Sequence, residues 1–161
     1  MEGKFMIKNL FIGSMILLLT ACSQKTPDAF IKAKVESSAY RVLCVGDRMI
    51  KDGVLVKGSC WDYIDATFKK AGCSRSQRVT VFRSKKRGPY ANIKRIQPGD
   101  WLYFINSSYH NSEHSAIFIE WIDRKRKIAR MLSYQGEGKR KPARYKNYHL
   151  ARVYNIMRAG K

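Results

Sequence analysis

Three observations predict an α+β fold. Residues 59–71 carry apolar side chains at helical spacing behind a helix-start signal. From Val79 onward the pattern changes to short strand-like runs separated by basic or glycine-containing turns. Helical and strand patterns are segregated along the chain, not alternating. That is the arrangement of N-terminal helices packed on an antiparallel sheet, here of about five strands.

Residues 1–21 read as a secretory signal. Lys4 and Lys8 flank the start of an almost unbroken apolar stretch over residues 10–19, too short to span a bilayer comfortably. A polar tether, residues 22–26, follows. Pro27 then stands at a helix start with Thr26 as N-cap and Asp28 in the first turn, and Phe30, Ile31, Ala33 and Val35 make a modest helix reaching about Ser38. Residues 40–56 mix short apolar runs with Gly46 and Gly53 and read as a loop with short strands.

The best helix covers residues 59–71. Ser59-Cys60-Trp61-Asp62 has the form of a capping box, with Ser59 as N-cap and Asp62 at the third position. Trp61, Ile64, Phe68 and Ala71 give a core-facing stripe, Lys69 and Lys70 suit the C-terminal dipole, and Gly72 stops the helix. Strands are expected over residues 79–82, 101–105, 115–122, 128–135 and 150–157. The second and third are apolar on both faces, as central strands are. Residues 124–127 form a cationic hairpin turn and residues 136–141 a basic loop.

The chain of 161 residues suits one domain, so residues 27–161 read as a single unit. Charge is the outlier: 32 Lys and Arg against 12 Asp and Glu, a formal net charge of +20. Such a surface is drawn to polyanions. A secreted chain does not meet the genome, so nucleic acid is set aside in favour of cell-wall polymer or anionic lipid.

Chemistry centres on Cys60 and His114. Cys60 falls in the first turn after the cap, where unpaired backbone N–H groups and the helix dipole favour a thiolate and can receive an oxyanion. His114 begins a strand, sharing a face with Ala116 and Phe118, while Ile117, Ile119 and Trp121 face the other way. The small Ala116 is expected to leave room for an approaching helix. His110 lies four residues before His114, but nothing else ligand-like clusters there, so neither a metal nor another cofactor is expected. Of the four cysteines, Cys22, Cys44, Cys60 and Cys73, one arithmetic pairs Cys44 with Cys73 and leaves Cys60 free. Other pairings stay open, and a bridge through Cys60 would remove the nucleophile.

Two resemblances extend this reading. Leu19-Thr20-Ala21-Cys22 resembles the lipobox of bacterial lipoproteins. It implies cleavage before Cys22, lipidation of that cysteine and a membrane anchor; Ser23 after it implies the outer membrane, facing the periplasm. A helix opening with Cys60, the Pro98-Gly99-Asp100 turn, an aromatic-rich strand and His114-Ser115-Ala116-Ile117 together resemble the NlpC-type cell-wall cysteine peptidases, whose layout the CHAP amidases share. The resemblance covers residues 53–157. It implies a papain-like fold and a cofactor-free hydrolase that cleaves amide bonds in peptidoglycan stem peptides; separately, the chain is expected to act as a monomer. Cys60 would be nucleophile and His114 base. The third member would be a polar residue on the next strand. Alternation puts Ser133 and Gln135 on one face there, and Gln135 is the expected partner of the imidazole.

The chain departs from that family in two places. Trp61 stands where the family has a small residue, and the tyrosine usual about ten residues before the cysteine has Tyr40 as its nearest counterpart. Two alternatives follow: a non-catalytic envelope-binding protein on the same fold, and a lipid acyltransferase or amidase. The lipid enzymes tend to carry His before Cys, the reverse of the order here.

Overall fold

The computed structural model describes residues 37–160. The leader, Cys22, the tether and all but the end of the helix expected to reach Ser38 lie outside these residues. The described chain is α+β: two helices lie on one face of an antiparallel six-stranded sheet.

Helix α1 (Ser38–Lys51) stands where a loop with short strands was expected. Ser37 starts it, its Oγ accepting the Tyr40 N–H at 3.2 Å. Val42, Leu43, Gly46 and Met49 are buried at helical spacing, so two β-branched valines and a glycine had concealed a helical stripe. Gly46 allows a close approach to the sheet: a Cβ there would stand 2.5 Å from Leu132 Cδ1.

Helix α2 (Cys60–Lys70) forms as its sequence predicts. In the capping box Ser59 N–H donates to Asp62 Oδ2 at 2.7 Å and Trp61 N–H donates to Ser59 Oγ at 3.2 Å. Tyr63, Ile64 and Phe68 are buried against the sheet. Asp65 anchors the helix laterally, accepting from Arg78 Nη1 at 2.6 Å and lying 2.8 Å from Lys69 Nζ. Burial pushes its carboxyl up, but hydrogen bonds from Lys69 and Arg78 prevail and hold it at about 2.

The strands are β1 (Arg78–Arg83), β2 (Trp101–Asn106), β3 (Ser112–Asp123), β4 (Ile128–Ser133), β5 (Arg144–His149) and β6 (Val153–Ala159), in the order β1-β6-β2-β3-β4-β5. The two strands apolar on both faces, β2 and β3, are central. Strand β5 is the one the sequence did not announce. It lies at the sheet edge, where Tyr145 and Tyr148 suffice for packing and the other four residues stay polar.

Trp101, Ile117, Ile119, Leu132 and Tyr134 form the sheet's share of the core beneath the helices. Leu102, Phe104, Ala116, Phe118 and Met131 form a second core on the other face, covered through Ala91 and Ile96 by the connection between β1 and β2. The Ala116 face is therefore not the helix face, contrary to the expectation that its small side chain makes room for a helix. The Pro98-Gly99-Asp100 turn is a structural clamp. Gln97 N–H donates to Asp100 Oδ2 at 2.8 Å, and Arg158 on β6 donates to the same carboxylate at 2.7 and 2.8 Å.

Candidate active site

Cys60 is the first residue of α2, and the helix packs on Trp101 through both Trp61 and Phe68, with ring centroids 5.4 and 5.6 Å away. The Cys60 thiol stands over β3, where Ser115 Oγ donates to Sγ at 3.6 Å. Cys60 N–H has no hydrogen-bond partner among the described residues, because the Ser59 cap engages the N–H groups of Trp61 and Asp62 instead. A free donor thus sits beside the sulfur, at the positive end of the helix.

His114 is Ser115's neighbour, yet it belongs to the other face. Pairing of β2 with β3 is regular from Trp101↔Ile117 to Asn106↔Ser112, so consecutive residues alternate and the imidazole points away from α2. There Nε2 lies 2.9 Å from Ser133 Oγ and 3.3 Å from Tyr148 OH, and those two oxygens are 2.8 Å apart. The Phe104 ring packs edge-on against the imidazole at 5.6 Å. Burial, reinforced by the Lys146 charge, pushes the imidazole from 6.5 down to about 4, so the ring is neutral at pH 7. Cys60 and His114 thus sit at the same end of β3 on opposite faces. No hydrogen bond joins them among the described residues.

The residue beside the ring is Ser133, not Gln135. Continuing the Ile117↔Leu132 register of β3 with β4 would set Gln135 opposite His114. Strand β4 ends at Ser133, however, and the chain turns away, Glu137 N–H donating to Gly58 O at 2.9 Å. Gln135 is exposed and accepts from Arg144 Nη2 at 3.3 Å, which leaves the diagonal neighbour Ser133 to meet the imidazole. Tyr148 joined this cluster without a sequence signal, since the strand carrying it was not recognised.

The bridge between Cys44 and Cys73 is not formed. Cys73 is a buried free thiol whose Sγ lies 3.8 Å from Gln77 O, and Cys60 is likewise a free thiol. Trp61 serves packing: its indole lies 5.4 Å from the Trp101 ring, Nε1 donates to Tyr103 OH at 2.9 Å, and the Arg75 guanidinium sits over it at 5.2 Å. Among the described residues no three His, Cys, Asp or Glu side chains gather as a metal site.

A cleft of about 470 Å³ opens where Tyr103, whose OH accepts from Trp61 of α2 at 2.9 Å, meets the end of β1 and the Ser84–Lys86 segment. Tyr103, Glu113 and Tyr154 line it, with Tyr154 OH donating to Glu113 Oε2 at 3.0 Å and Lys86 closing an ion pair with Glu113. Alternation could have revealed this group, because Glu113 and Ser115 share one face of β3 while His114 takes the other. No family model matches the chain, and no curated protein or solved structure matches it significantly.

Proposed function

We propose that the protein is a papain-like thiol hydrolase of the cell envelope that cleaves amide bonds in peptidoglycan stem peptides. It is held at the membrane through Cys22. The observation that carries this reading is the setting of Cys60: first residue of a capped helix, with the Ser115 hydroxyl on its sulfur and an unclaimed N–H beside it. In this reaction Sγ attacks the amide carbonyl and the Cys60 N–H receives the oxyanion. Collapse expels the amine, which takes back from the base the proton that the thiol gave up, and water then hydrolyses the thioester, returning the thiol and a free carboxylate. His114 is the base of the scheme. To accept the thiol proton, the segment of β3 that carries the ring must unpair from β2 and turn, since rotation of the side chain alone leaves it on the far face of the sheet. The test is release of new amino groups from purified peptidoglycan: Cys60→Ala should fall to background and His114→Ala should lose about a hundredfold or more. Cleavage by Cys60→Ala at the wild-type rate would overturn the reading.

One observation favours a second reading, a non-catalytic envelope-binding protein on the same fold. The ring of His114 faces away from Cys60 and is already engaged. Alkylation of the full chain by iodoacetamide near neutral pH separates the two. A nucleophilic Cys60 outpaces Cys73 by far more than exposure explains, whereas a scaffold protein shows no such difference.

A further inference from the structure

We propose that the hairpin between β3 and β4 is a second membrane contact, which seats on an anionic phospholipid bilayer through Ile122 and the cations of its turn. The inference goes beyond the reaction at Cys60 and takes from that reading only the tether at Cys22. Strand β3 loses register with β4 between Trp121 and Asp123, so Ile122 is the extra residue of a bulge. It has no cross-strand partner, and it is 47% exposed. Trp121 beside it is half-buried, its ring 5.1 Å from that of Phe118, which ties the bulge to the core of the far face. Arg124, Lys125 and Arg126 follow, all exposed, and Lys127 closes the turn with φ +57°. Both ends of the turn are fastened: Arg126 N–H donates to Asp123 Oδ1 at 2.9 Å, and Leu150 N–H donates to Lys127 O at 2.8 Å.

An aliphatic side chain turned outwards next to free cations selects the partner. None of Arg124, Lys125, Arg126 and Lys127 makes an ion pair among the described residues. The other basic loops differ: Lys86 is paired with Glu113, and residues 139–141 have no large apolar side chain exposed beside them. A soluble anionic polymer would satisfy the cations and leave Ile122 in water. The surface of an anionic bilayer takes both, with headgroup phosphates for the cations and the acyl boundary for Ile122. The tether is long enough. A Cβ on Gly99 would stand 3.0 Å from Ala39, and Gly99 N–H donates to Phe118 O at 2.9 Å, four residues before the bulge, so Ile122 lies within about 25 Å of Ala39. The chain from Cys22 to Ser37 spans up to about 50 Å, so a lipid on Cys22 and the hairpin can reach one bilayer together.

The test mixes the full chain with excess phosphatidylethanolamine–phosphatidylglycerol vesicles whose acyl chains carry bromine, a short-range quencher of tryptophan. Ile122→Trp places a reporter at the bulge, and Leu55→Trp places one at another exposed apolar position, on the loop between the helices. Wild-type emission is subtracted from each. At about 0.1 M salt the Ile122→Trp signal should fall by about half or more, and the Leu55→Trp signal should not change. Adding Arg124→Gln, Lys125→Gln and Arg126→Gln should cut the quenching at least fivefold, and so should replacing the vesicles with brominated phosphatidylcholine ones; Lys139→Gln, Arg140→Gln and Lys141→Gln together, an equal loss of charge elsewhere, should leave it unchanged. Equal quenching of the two reporters, equal quenching by the neutral vesicles, or equal loss in the control triple would overturn the hairpin contact. Flotation of the wild type with vesicles at about 1 M salt, where the hairpin's charge is screened, reads the anchor alone. Quenching without flotation at high salt would remove the tether and keep the hairpin; flotation without quenching would do the reverse. Neither result bears on the chemistry of Cys60.

Discussion

His114 is held in a protonation state that the unfolded chain does not share, and this has a measurable consequence. With the imidazole at about 4 in the fold against an ordinary 6.5, the unfolded chain binds more protons between those values. Stability from this residue is therefore complete above pH 6.5 and is lost as pH falls towards 4. A shift of that size corresponds to roughly 3 kcal/mol. Urea midpoints at pH 7 and pH 4.5 check it: the wild type should weaken across the interval and His114→Gln should lose most of that slope. The same value sets the catalytic profile, with activity rising as pH climbs through about 4 and then level to neutrality if the neutral ring is the base. Ser133→Ala should alter how the ring is held, whereas Gln135→Ala, on an exposed side chain bonded to Arg144, should change activity less than twofold. Cys60 and His114 were legible as residues because a cap marks one and a strand start marks the other. Their separation was not, because alternation within β3 says nothing about which face a distant helix covers.

Helix α2 is fastened to the sheet edge by the Asp65–Arg78 pair, whose side chains are 6% and 2% exposed. Removing one partner strands the other charge, so Asp65→Ala should lower unfolding free energy by about 3–5 kcal/mol, read from guanidinium denaturation. Asp65→Leu combined with Arg78→Met should recover most of the loss; a double variant no better than the single would show that the pair is not what holds α2. Because Asp65 is held at about 2, this contribution is present above pH 4 and lost as pH falls towards 2, a window separate from that of His114. The Pro98-Gly99-Asp100 turn makes a second test. Gly99 has φ +86°, and a Cβ would meet Ala39 of α1 at 3.0 Å, so Gly99→Ala should destabilise by about 1 kcal/mol or more. At this scale α2 was readable because cap, stripe and stop agree. Helix α1 was not, because Val42, Val45 and Gly46 favour strand or turn locally and only packing on Leu132 overrides them.

A net charge of +20 on 161 residues makes the whole molecule a polycation, and its partner is expected to be anionic. Binding of the Cys60→Ala chain to purified sacculi in a pelleting assay should fall steeply from 0.05 to 1 M salt, as the screening length shrinks to about 3 Å. Salt-insensitive retention would point away from a charge-held protein. The cations are spread over loops and the edge strand β5, so the attraction is not confined to one patch.

By itself the sequence determined the α+β class, the start of α2 with Cys60 in its first turn, the central position of β2 and β3, and the strongly cationic composition. Each depends on short-range spacing, capping or composition, which act before any long-range contact forms. Only the tertiary structure decided that α2 lies over Ser115, Ile117 and Ile119, leaving His114 to Ser133 and Tyr148 on the far side. It also decided that β4 stops two residues short and takes Gln135 out of reach. A strand's pattern says which residues share a face, but the choice of face falls to the packing of Gly46 on Leu132 and of α2 on Ile117 and Ile119, contacts between residues distant in the chain.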